Sequence, residues 1–376
     1  MDDLLQSAGW EQFQQALGHR THRVDGVLAI ELPLPLGQRY LYSPRGGEAT
    51  SRQLQAASAC ARKTGAMFWR GECSTPLATR NSQLVTPAVL RRQVEPQHTW
   101  RVNLEPSLDA VLAGMHEKHR YNVRLAEKRG VVVRTVSLVP SSRAERSAVE
   151  RSRQADGAAD AGRDFSARGL GRNDDGRGGL GRNDDGGGGL GRNDAAGDFD
   201  IFWSLLRDTA ARQRIQTHPR AYYETMLATL PDTSLFLAER EGVPLMGAII
   251  AYHGDTATYL HGGSSYEHRA HMAPHLLHWI AMSHAKEAGM RWYDFGGVVP
   301  PERSGNLQVS TDGSSDTSRH QEDGGLKTSA TPSSWSGMTR FKQGFGGEMV
   351  THPPMYDMVF RSGWYTGMAL LARLRP

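Results

Sequence analysis

The sequence predicts an α+β protein made of two units of the same kind packed side by side, and three observations predict it. A run of strands, then a helix, then a single strand occurs once in each half of the chain. The strand segments are β-branched and aromatic runs bounded by Gly, Asp and Pro. The chain has 376 residues at 38% hydrophobic content, enough to bury two cores.

In the early half, "VLAIELPLP" and "RYLYSP" read as strands around Gly37. A helical stretch runs from about Ser51 to Lys63, "AMFWRGE" is a strand after Gly65, and "TWRVNL" is another. A helix from Ser107 to Lys128 follows, with Leu108, Val111, Leu112 and Met115 as its apolar stripe. In the later half, Phe199, Phe202, Trp203, Leu206 and Ala210 fall at helical spacing, and Pro219 opens a second helix. "SLFLAER", "LMGAIIAYH" and "TATYLHGG" then form a three-stranded antiparallel meander, punctuated by Glu241-Gly242 and Gly254-Asp255. A helix from about Pro274 to Ala288 stops at Gly289, and the strand "RWYDF" stops at Gly296-Gly297. This divides the chain into a first unit, 1–136 with 361–376, and a second, 137–360.

Two segments have a composition unlike the rest. Residues 156–198 carry "GLGRNDDGRG", "GLGRNDDGGG" and "GLGRNDAAGD", and read as a flexible insertion with almost nothing to bury. A calcium-binding Gly/Asp repeat is the alternative, but here the period is ten, not nine. Residues 303–334, rich in Ser, Thr, Gly and Asp, read as a second disordered loop. Both insertions are net acidic, so the folded remainder is more basic than the +4 of the whole chain. That balance favours an anionic partner, set against the plainer reading of a solvated, soluble surface. No apolar run is long enough to span a bilayer and "MDDLLQSAGW" does not read as a signal, so a cytoplasmic location is expected. Cys60 and Cys73 have neither zinc nor redox spacing and read as reduced structural thiols; no metal site is expected.

A meander followed by a helix and a further strand is the order of the N-acyltransferase, or GNAT-like, fold. Acetyl-CoA users of that fold hold the pyrophosphate on backbone N–H groups of an Arg-x-x-Gly-x-Gly loop. The corresponding "SSYEHRAHMAPH" and "SPRGGEATS" lack the pattern, so acetyl-CoA is not expected as a cofactor.

Four stretches carry chemistry. "MHEKHRYNVRLAEKRG" concentrates His116, Lys118, His119, Arg120, Arg124, Lys128 and Arg129 on one helix, with Tyr121 available to stack. "YLHGGSS" follows, then "RWYDFGGV", whose Gly296 and Gly297 allow close backbone approach. Last comes "TRFKQGFGGE", with Arg340, Phe341 and Lys342 ahead of the turn glycines Gly346 and Gly347. In this order the stretches resemble the FemABX family of non-ribosomal peptidyltransferases, over most of the chain outside the insertions. The resemblance implies two GNAT-like units, aminoacyl-tRNA as co-substrate, no other cofactor, and a peptidoglycan precursor as acceptor, with peripheral membrane contact where that precursor is lipid-linked. It also implies Lys342 at the reaction centre with Phe341 as its wall. Arg220, Tyr223, Tyr259, Arg340, Arg120, Tyr121 and Arg124 are then candidates for substrate contacts. Aminolysis of an aminoacyl ester builds a tetrahedral oxyanion and needs positive charge there. One departure stands out: the strand before the basic helix reads "VNL", and the amide of Asn103 cannot act as a general base. Two rivals remain, an N-acyltransferase with another donor or acceptor and a non-catalytic RNA-binding protein, and the second would not require the Phe341-Lys342 pair.

Overall fold

The computed structural model describes residues 3–47, 50–72, 84–87, 95–136, 192–300 and 332–374. The expected disorder of 156–191 and 303–331, and Cys73, lie outside the described residues.

Thirteen strands form among the described residues: β1 (Thr21–Val24), β2 (Val27–Pro33), β3 (Arg39–Ser43), β4 (Phe68–Glu72), β5 (Leu84–Pro87), β6 (His98–Asn103), β7 (Val132–Val136), β8 (Thr233–Arg240), β9 (Val243–His253), β10 (Thr256–Ser264), β11 (Trp292–Gly297), β12 (Glu348–Thr351) and β13 (Met355–Val359). The helices are α1 (Ala8–Ala16), α2 (Ser51–Thr64), α3 (Leu108–Gly114), α4 (Glu117–Lys128), α5 (Arg192–Gln213), α6 (Arg220–Thr229), α7 (Ala273–Glu287), α8 (Pro332–Gln343) and α9 (Ser362–Leu374).

The strands make two sheets, ordered β1-β2-β3-β4-β13-β5 and β12-β6-β11-β10-β9-β8-β7. Each contains the same core: an antiparallel meander, a crossover helix, and a parallel strand returned beside the meander. In the first sheet this is β1-β2-β3, α2 and β4; in the second, β8-β9-β10, α7 and β11. In each, the returned strand has an antiparallel neighbour on its far side, β13 against β4 and β6 against β11. Two GNAT-like units are therefore present. Strand pairing groups 98–136 with the second sheet and 355–359 with the first, whereas the sequence division put 1–136 with 361–376. The reason is that a sheet is defined by its ladder, and β6 and β13 are exchanged between the halves of the chain.

Local chemistry sets the helix limits. Thr50 and Gln53 form a capping box at the start of α2, and Gly65 in the left-handed conformation closes it. The single helix expected over 107–128 is two, α3 and α4. Met115 between them is extended and buried, and His116 donates its backbone N–H to Gly344 O at 2.9 Å rather than continuing the helix. Residues 192–198 and 332–334, assigned by composition to the insertions, are the first turns of α5 and α8. Asp198 is held there because its carboxylate receives both terminal nitrogens of Arg134, at 2.8 and 2.5 Å, and Pro332 suits a first helical position.

One apolar cluster joins the units: Phe13, Leu28 and Phe68 from the first pack with Phe202, Leu235 and Ile249 from the second. Another, with Phe236, Leu277, Tyr293, Phe295 and Phe345, lies between the second sheet and α4, α7 and the end of α8. Burying Phe345 completely contributes about 2 kcal/mol. It fixes the exit from α8, and the site is built there.

Candidate active site

The last turn of α8 carries Phe341 and Lys342. Gly344 N–H closes it onto Arg340 O at 3.1 Å, and Gly346 N–H onto Gln343 O at 3.0 Å. Two glycines are needed for contact rather than for chemistry. A Cβ on Gly344 would fall inside the His119 ring, and Gly347, at φ 95°, lies where a Cβ would strike the Arg101 carbonyl. The motif is therefore clamped between α4 and β6. His119 Nε2 donates to Phe341 O at 3.0 Å, and Trp100 Nε1 to Gly346 O at 2.7 Å.

Pairing between the parallel strands β10 and β11 ends at Thr258 and Asp294. Beyond that point the backbone of Gly296 turns at φ 71°, and its N–H bonds back to Asp294 Oδ1 at 2.6 Å. The next carbonyl, Gly297 O, receives Lys342 Nζ at 2.6 Å. Among the described residues this is the one hydrogen bond of the ammonium, which has three N–H groups to donate. Lys342 is half-buried. Loss of hydration lowers its pKa to about 8, with the Asp294 charge opposing that fall. The Asp294 carboxyl is itself raised by burial, against the donors Gly296 N and Thr99 Oγ1, the latter 3.1 Å from Oδ2.

Phe341 is packed by rings, with His275 at 5.1 Å, Phe345 at 5.3 Å, His119 at 5.7 Å and His278 at 5.8 Å between centroids. Burial, with Lys342 and His275 adding, drives the His278 pKa down to about 3, and burial, with His119 and Lys118 adding, takes His275 to about 4. Both are neutral at pH 7, so the wall is apolar and uncharged. His278 Nδ1 shares a hydrogen bond with Tyr293 OH at 2.9 Å.

Of the residues expected from the sequence, Phe341, Lys342, Gly296, Gly297, Gly346 and Gly347 meet at this point. Tyr259 joins them, its ring 4.8 Å from that of His278. Arg340 is exposed on the same helix. On α4, Arg120 donates to Ala113 O at 2.9 Å and to Met115 O, fixing the helix entry, while Tyr121 (61% exposed) and Arg124 face solvent. Arg220 and Tyr223 are not beside Lys342's hydrogen-bond network. Arg220 pairs with Asp200 at 2.7 Å and Glu224 at 2.8 Å, and Tyr223 is buried with its OH accepting from His218 N at 3.2 Å. Asp294, Thr99 and His278 were missed, and His119 was read only as part of the basic helix and not as the donor to Phe341 O. Asp294 lay in view as the only charged residue inside "WYDFGG".

Residues 237–372 match the model of the FemAB family. Over 66 residues the chain is 38% identical to the lipid II:glycine glycyltransferase of Staphylococcus epidermidis, a stretch covering 18% of this chain and 16% of that relative. Over 58 residues it is 40% identical to the lipid II:glycine glycyltransferase of Staphylococcus aureus, covering 15% of this chain and 14% of the relative. The alignments thus span about a sixth of the curated relatives' own length. A crystal structure of FemX is similar over 98% of this chain and 94% of that one, with a TM-score of 0.59 at 16% identity, which is a likeness of fold. The FemAB match takes in most of the meander, α7, β11 and the FKQGFGG motif, so this part of the chain is similar to the FemAB family.

Proposed function

We propose that the protein transfers an amino acid from aminoacyl-tRNA to the stem peptide of a peptidoglycan precursor, lipid II or UDP-MurNAc-pentapeptide, and so builds the interpeptide bridge. The observation that carries this reading is Lys342: a half-buried ammonium in the FKQGFGG motif whose one hydrogen bond among the described residues is to the Gly297 carbonyl. The names of the relatives, which act on lipid II and glycine, support the acceptor and the class of transfer.

The acceptor amine attacks the ester carbonyl, a C–N bond forms, and the carbonyl oxygen becomes an oxyanion. The C–O bond to the ribose then breaks, and the proton lost by the amine ends on the ribose hydroxyl by way of solvent. Lys342, protonated below about pH 8, stabilises the oxyanion. Phe341 and the neutral histidine rings limit water, which would hydrolyse the ester instead. Arg124 and Arg340 offer exposed cations, and Tyr121 an exposed ring, for the tRNA or for precursor phosphates. Such a reaction takes place in the cytoplasm, at the membrane surface where the acceptor is lipid-linked. Among the described residues no helix is long and apolar enough to cross a membrane.

The test is incubation of purified protein with charged tRNA and a UDP-linked or lipid-linked muramyl pentapeptide. The expected result is a mass increase of one or more amino-acid residues on the stem peptide. Absence of transfer by folded protein across a panel of amino acids overturns the reading.

A further inference from the structure

Around Lys342 and Asp294 the described titratable groups come from several elements. His119 lies on α4, His275 and His278 on α7, Asp294 on β11, and His352 just after β12, where its Nε2 is 3.4 Å from Thr99 Oγ1. From the first unit, Arg45 reaches over with its guanidinium on Glu72 at 3.2 Å and on Pro96 O at 2.5 Å. The four histidines are all pushed down by burial, to about 4 for His352 and His275 and about 3 for His278. At neutral pH they carry no charge. Among the described residues Asp294 is thus the one carboxylate acting on Lys342, and its two oxygens are fixed by donors from two strands, Gly296 N on β11 and Thr99 Oγ1 on β6. The same carboxylate pins the Gly296 turn that presents the Gly297 carbonyl to Nζ.

We infer that Asp294 is a positioning residue for Lys342: its carboxylate, locked across β6 and β11, keeps the half-buried ammonium charged and aimed, without bonding to it and without occupying the N–H groups that a substrate needs. This rests on Lys342 being the group that acts in the proposed transfer, but the link between the two side chains can be measured apart from any transfer. A direct Lys–Asp ion pair would hold Nζ more firmly and would leave it less free to meet an oxyanion. A carboxylate bonded instead to Gly296 N and Thr99 Oγ1 supplies field without blocking the donor.

The experiment follows the protonation of Lys342 in the full chain by competitive labelling with an amine-acylating reagent across pH 6 to 11, read by peptide mass spectrometry. In Asp294→Asn the midpoint should fall below that of the native protein by about one pH unit, because an opposite charge at short range favours the charged form. Asp294→Glu, which retains the charge, should recover most of the shift. A folded Asp294→Asn protein with an unchanged midpoint overturns the inference. Should that variant not fold, Asp294→Ser removes the same charge. If no neutral residue at 294 gives folded protein, the position serves the fold and not Lys342, and the inference is wrong. Where transfer is detected, its alkaline limb should move to lower pH in Asp294→Asn. A shifted labelling midpoint with no transfer in either protein would leave this link standing and overturn the proposed function alone.

Discussion

Each unit has a cation and a carboxylate on or beside its returned strand, and the two pairs are built in opposite ways. In the first sheet Arg70 of β4 and Asp357 of β13 form a bidentate pair at 2.7 and 2.7 Å, with Tyr365 OH on the same carboxylate at 2.6 Å. Both side chains are essentially sealed, at 2% and 0% exposure. In the second sheet Lys342 and Asp294 are neighbours that each bond to something else. Burial lowers both cations, yet the hydrogen bonds and charge of Asp357 raise Arg70 overall, whereas Asp294 only softens the fall of Lys342. A closed pair spends its donors on structure. An open pair keeps them for a ligand, at some cost in how firmly the charge is held.

The largest effect that would sharpen this contrast is at the closed pair. Asp357→Ala removes the carboxylate that neutralises a buried guanidinium and should cost about 3–5 kcal/mol in denaturant unfolding. Asp294→Asn should cost much less; equal losses would erase the distinction. Next, Gly347→Ala forces an L side chain to φ 95° against the Arg101 carbonyl and should cost about 1–3 kcal/mol, with transfer falling alongside.

A third test uses acid. His278, His275 and His352 have folded pKa values of about 3 to 4 against 6.5 for an unperturbed histidine, so the unfolded chain binds more protons between those values. Their contribution to stability is present above pH 6.5 and is lost progressively as the pH falls towards 4. The urea midpoint should therefore drop between pH 7 and pH 5, and His278→Phe should flatten the drop. An unchanged midpoint over that range would mean these rings are charged in the folded state, and the wall around Phe341 would not be the neutral one described. The smallest effect belongs to Arg220→Ala: its partners Asp200 and Glu224 are on the surface, and thermal unfolding should not move measurably.

The sequence made the architecture legible because alternating apolar runs and Gly or Pro punctuation are local signals. The meander, α7 and β11 lie within a residue or two of where their patterns put them. The nearness of Lys342 to Phe341 and the glycine turn was legible too, because they are adjacent in one motif. What could not be read depends on contacts distant in sequence. The break between α3 and α4 comes from the His116 bond to Gly344, and the role of Asp294 comes from Thr99, 195 residues away across a strand ladder. The exchange of β6 and β13 between sheets is likewise invisible to local pattern. Arg220 and Tyr223 share a helix turn in the sequence, but packing against Phe202 and Trp203 takes the tyrosine inward and leaves the arginine to its surface carboxylates.

The central claim is that Lys342 is the open cation on which transfer depends. Single-turnover transfer by Lys342→Ala, compared with the native protein at matched folded fraction, tests it most directly. Loss of one oxyanion-stabilising group predicts a fall on the order of a hundredfold or more with thermal unfolding little changed. A Lys342→Ala protein that transfers at the native rate would contradict the account.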